Sequence, residues 1–117
     1  MHNAKNFTRD QQRAVRAYEL VGDVSDRKGY AVVVNDVGAH ILRSGLAAAL
    51  ASLERNDGKS LLGHLAKFDV PGLENATGDN LSKRVRELEL DEYIFATREF
   101  LLIATWLKRA SQATKDS

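Results

Sequence analysis

The chain has 117 residues, 44% hydrophobic and 28% charged, which is enough for one folded domain and too apolar for a disordered segment. Its 17 basic and 16 acidic residues leave a net charge of +1, so any contact with nucleic acid must come from local clustering and not from bulk charge. Cysteine is absent, which excludes disulfides, thiolate metal sites and cysteine nucleophiles. The uncharged run Phe100 to Leu107 is far short of the roughly 20 apolar residues of a membrane span. Residues 1–30 carry charges throughout and lack the apolar core of a signal peptide, so a cytoplasmic address is expected.

In chain order, Thr8 to Gln11 is a capping-box pattern, Thr at the N-cap and Gln at the third helical position. Ala14, Ala17, Tyr18 and Val21 follow at helical spacing, predicting a first helix from Arg9 to Val24. Arg27-Lys28-Gly29 reads as a connector. From Tyr30 the apolar residues Val33, Val34, Val37 and Ile41 repeat with a helical period, and the competing strand signal of Val32-Val33-Val34 has no partner strand elsewhere. Arg43-Ser44-Gly45 breaks the pattern and Leu46, Ala49, Leu50 and Leu53 resume it, so either two helices meet at a tight corner there or one helix is kinked. Asn56-Asp57-Gly58 is a stop, and Ser60 is placed to cap a short helix carrying Leu61, Leu65 and Phe68. Val70 to Asp79 reads as a long, polar, mobile loop. Leu81, Val85 and Leu88 mark a fifth helix.

The last element is the most informative. Asp91 to Ala113 contains no Gly or Pro, opens on an Asp that can cap, and carries Lys108 and Arg109 near its end. At about 100° per residue, Ala96, Phe100, Ile103, Leu107 and Ala110 form one apolar face, which Phe95, Leu102 and Trp106 widen beyond half the circumference. A helix this apolar requires partners on several sides. The expected fold is therefore all-α: one compact bundle of about six helices over residues 1–117, built round a long C-terminal helix, with 1–7 and 114–117 frayed.

Several motifs dissolve on inspection. Gly58-Lys59-Ser60 imitates the end of a phosphate-binding loop, but Leu53 stands where the first Gly of that loop belongs. Asp36 and His40 share a helix face, yet a third group and a pocket are lacking. His2, His40 and His64 have no metal-ligand spacing, so no metal and no cofactor is expected. Asp91 and Glu92 are suited to a helix start, where the macrodipole favours negative charge. No constellation reads as an active site, and the chain is not expected to be an enzyme.

Two basic stripes remain. Arg9, Arg13 and Arg16 lie within about 60° of one another on the first helix, and Arg98, Thr105, Lys108, Arg109 and Gln112 share the non-core side of the last. Guanidinium groups in such rows suit phosphate oxygens, through charged bidentate hydrogen bonds. The alternative is a solvated face. Ile94 and Leu101, among those charges, are candidates for cover by a neighbouring subunit.

The series Tyr93-Ile-Phe-Ala-Thr97-Arg-Glu99, continuing to Trp106-Leu-Lys-Arg109, closely resembles the last helix of one family, the small subunit of the Cmr-type (type III-B) CRISPR effector complex. The stretch from Gln11 to Val21, the corner Ser44-Gly45-Leu46 between Tyr30–Ile41 and the Ala/Leu-rich helix after it, and Leu61 to Leu65 agree in order and spacing, so the resemblance spans nearly the whole chain. It implies a non-catalytic helical scaffold protein of antiviral defence. Its copies stack head to tail beside other Cmr subunits and help line the channel where guide and target RNA pair. On that reading Arg13, Arg16, Arg98, Lys108 and Arg109, with Arg43 as an outside candidate, would contact RNA phosphates, and Ile94 and Leu101 would contact protein. The small subunit of the Csm-type complex is the runner-up. A helical DNA-binding regulator would need the Arg43-Ser-Gly corner to present a recognition helix.

Overall fold

The computed structural model describes residues 7–55 and 58–114, and among them every regular element is helical. Six helices follow in order: α1 (Arg9–Gly22), α2 (Arg27–Ser44), α3 (Leu46–Arg55), α4 (Lys59–Leu65), α5 (Leu81–Arg86) and α6 (Leu90–Thr114). The all-α bundle with a long last helix is what the apolar periodicities predict, and the valine run lies within α2.

Each boundary has a local cause. The Thr8 hydroxyl accepts from the Gln11 amide at 3.1 Å while the Thr8 amide donates to Gln11 Oε1 at 2.8 Å, completing the capping box. Asp26 caps α2 by accepting from the Gly29 amide at 3.1 Å. Arg27-Lys28-Gly29 is therefore the first turn of α2 and not a connector. Gly45 ends α2 with φ 93° and ψ 160°, a backbone region that an L side chain enters only under strain. At the start of α4 the cap is Gly58, and Ser60 lies inside the helix. A Cβ on Gly58 would stand 2.8 Å from Leu53 Cα, so only glycine fits between α3 and α4. Asn56 and Asp57, the rest of that stop signal, lie outside the described residues. Asp91 sits in the first turn of α6, accepting from the Glu92 amide, instead of capping it.

α6 runs between α1 and α2, and α3 packs on α2 with α4 and α5 beyond it. The predicted face of α6 is the buried one: Ala96, Phe100, Ile103, Leu107 and Ala110 are all at or below 1% exposure. Phe95 and Leu102 do not widen it; they are 39% and 43% exposed, because α1 and α2 pack chiefly on the opposite side. The segment from Val70 to Asp79 is also unlike its expected form. Val70 and Leu73 are buried in the core, and the Arg84 guanidinium donates to the carbonyls of Gly72 and Glu74. Two apolar anchors and a charged clasp fix a segment whose composition reads as a free loop.

The α6 surface as a candidate nucleic-acid and protein interface

The residues of the predicted basic stripes fall into different environments. On α1, Arg13 is nearly buried: its side chain keeps 11% exposure, and its Nη2 and Nε reach Glu99 Oε2 and Oε1 at 2.9 and 3.3 Å. Its Nη1 also reaches Asp10 Oδ1 at 3.2 Å. Arg9 joins the same carboxylate at 2.9 Å and donates to the Asp69 carbonyl. Arg16 remains half-exposed, with Glu19 3.6 Å away. The first stripe is thus largely a clasp between α1 and α6. Trp106 extends it, its indole donating to Asp10 Oδ1 at 2.9 Å.

Glu99, the centre of that clasp, has no role in the sequence reading beyond its place in the terminal series. It is 5% exposed. Burial pushes its carboxyl up, but hydrogen bonds and charge from Arg13 and Arg9 outweigh this and hold it below the usual range. The available signal is its position on the helical wheel, at the edge of the apolar face beside Ile103, where a carboxylate needs a cationic partner.

A cleft of about 550 Å³ opens between α1 and residues 66–75. Its lining places Arg9, Arg13, Arg16 and Lys67 against Glu19, Asp69, Glu74 and Glu99, so it offers no net positive field to an anion. Among the described residues no three His, Asp or Glu side chains gather as metal ligands.

The last helix differs. Arg98, Lys108 and Arg109 are exposed, and Arg98 and Lys108 form no ion pair among the described residues. Arg109 lies over the Trp106 ring at 5.0 Å from the centroid, a cation–π contact that steadies the guanidinium at the surface. Thr105 donates its hydroxyl to the Leu101 carbonyl. Ile94 is 45% exposed beside them, whereas Leu101 is half-buried against its own core. α6 thus presents Arg98, Lys108 and Arg109 outward, with Leu102 between them and Ile94 and Phe95 one turn before Arg98.

The remaining candidate, Arg43, is exposed in the last turn of α2. The corner after it does not present a reading helix: Leu46, Ala49, Leu50 and Leu53 of α3 are buried. The corner is instead tied to α6, since the Tyr93 hydroxyl accepts from the Ala47 amide at 3.0 Å and so satisfies one of the unpaired donors at the start of α3. No helix of the described residues is long and apolar enough to cross a membrane.

Comparison with known proteins agrees with this architecture. A family model described as CRISPR-associated protein (Cas_Cmr5) matches residues 9–114. The chain is 33% identical over 112 residues to the CRISPR system Cmr subunit Cmr5 of Thermus thermophilus, covering 91% of this chain and 95% of that protein. It also superposes on the X-ray crystal structure of a CRISPR-associated Cmr5 family protein from Thermus thermophilus with a TM-score of 0.80 and 33% identity, over 92% of this chain and 97% of the other. Matched in sequence and in fold over nearly its whole length, the chain belongs to the CRISPR-associated Cmr5 family.

Proposed function

We propose that this chain is a non-catalytic structural subunit of a Cmr-type CRISPR ribonucleoprotein in the cytoplasm, packing against copies of itself and neighbouring subunits and steadying target RNA along the guide. The observation that carries this reading is the outward side of α6, where exposed cations and exposed apolar groups alternate on one rigid helix. Arg98, Lys108 and Arg109, with Arg16 and Arg43 at the periphery, are the phosphate contacts in this reading. Arg13 is engaged by Glu99 and serves to position α1. Contacts of this kind are indifferent to base sequence, because isolated Arg and Lys side chains meet the backbone and not base edges. Ile94 is the protein contact, with Leu101 supporting it from the core side.

Reconstitution with the other Cmr subunits tests this. Arg98→Glu with Lys108→Glu should lower target-RNA retention by the particle while leaving its composition intact. Ile94→Lys should lower incorporation of the subunit. Unchanged retention and unchanged incorporation would together overturn the reading.

A further inference from the structure

The outward side of α6 has a charge order that a row of RNA phosphates does not require. Asp91 and Arg109 are equidistant from Phe100 and lie about five full turns apart, hence on one line along the helix at a separation of about 27 Å. Both are exposed. Between them stand Ile94, Phe95 and Leu102, all three exposed. One end of the strip is therefore acidic, the other basic, and the middle apolar except for the exposed Arg98.

We infer that, before assembly, two copies of this chain mask this face for one another by docking α6 against α6, antiparallel about a twofold axis that crosses the outward face at the level of Phe100 along the helix, so that Asp91 of each copy meets Arg109 of the other. A strip whose opposite charges are equidistant from its centre is self-complementary in the antiparallel sense only; a parallel pair would set Asp91 against Asp91 and Arg109 against Arg109. The same operation brings the apolar middle of each helix onto that of its partner, with the Arg98 stem lying over Leu102 of the second copy and its charge at the rim. RNA alone fits less well, since it would gain nothing from the three apolar side chains and would be repelled by Asp91. The inference rests on α6 being a docking face, and it adds that incorporation into the particle competes with this pairing.

Sedimentation of the isolated 117-residue chain over a range of concentrations tests it. The wild-type chain should show a reversible monomer–dimer equilibrium that weakens with salt. Asp91→Lys and Arg109→Asp should each weaken it by roughly tenfold or more, since each substitution turns two attractive pairs into repulsive ones. The double exchange should restore it. Leu102→Lys, away from the helix start, should abolish it, with helicity by circular dichroism as the folding control. A chain monomeric at every concentration, or a dimer indifferent to both single charge reversals, or a double exchange that fails to recover pairing, overturns the inference. RNA retention by the assembled particle, read with Arg98 and Lys108 substituted, is a separate outcome, so either idea can fail without the other.

Discussion

Glu99 is where a single side chain decides most. Removing it leaves the nearly buried Arg13 guanidinium without its main counter-charge, and Glu99→Ala should cost about 3 kcal/mol in chemical denaturation, in the range seen when one partner of a buried pair is deleted. Its carboxyl is held below the usual value of 4.5, so the stability it supplies is complete above about that pH and is lost as pH falls through the depressed value. His64 gives a second, higher window. Its Nδ1 lies 2.6 Å from the Tyr30 hydroxyl, joining α4 to α2, while burial pushes the Tyr30 phenol up and keeps it protonated. Burial and Lys67 push the imidazole down from 6.5, opposed by Asp23, so neutral His64 supplies stability that is complete above pH 6.5 and declines below it. Denaturation as a function of pH should therefore show two declines. His64→Asn should remove the upper one and Glu99→Gln should shrink the lower, to which the Glu74 and Glu87 carboxyls, also held below their usual range, contribute; a single decline unaffected by either substitution would contradict these assignments. Neither partner set is legible in the sequence. Arg9 and Arg13 are recognisable as a stripe, but that they converge on a carboxylate some 90 residues later depends on how α1 crosses α6.

At the level of elements, periodicity is informative where helices are long and fails at short connections. The core face of α6 is legible because five apolar residues repeat over four turns, and no other secondary structure buries that pattern. The first turn of α2 is hidden because Arg27-Lys28-Gly29 holds no apolar residue, although Asp26 supplies its cap. The order of the Val70–Asp79 segment is hidden as well, because it comes from Arg84, a helix residue that clasps two backbone carbonyls. The α2–α3 corner depends on both kinds of information. Gly45 is visible as a break, while the Tyr93 hydroxyl that supports Ala47 comes from α6. Gly45→Ala should cost about 1–3 kcal/mol for the disallowed backbone region. Tyr93→Phe, which orphans the Ala47 amide while keeping the ring, should cost about 1 kcal/mol. Equal stability of wild type and both variants by thermal or urea unfolding would show that the corner is not held this way.

For the whole molecule, the division of α6 into a buried face and an outward one is the organising feature. α1, clasped through Glu99, and α2, where a Cβ added at Gly38 would stand 3.9 Å from the Ala104 methyl, take one side and leave the other open. The basic residues of that open side are legible because charge on the non-core arc of a helix is predictable from spacing. That Phe95 and Leu102 join them is not, since a wheel shows which residues are apolar and not how much of the circumference its neighbours cover. The measurement that bears most directly on the account is the salt dependence of target-RNA retention by a reconstituted Cmr-type particle, comparing wild-type chain with one carrying Arg98→Ala, Lys108→Ala and Arg109→Ala. If these side chains meet phosphates, the log–log slope should fall by about one for each cation removed in each engaged copy, with weakening uniform across RNA sequences. An unchanged slope in a fully assembled particle would contradict the assignment of the α6 surface to RNA.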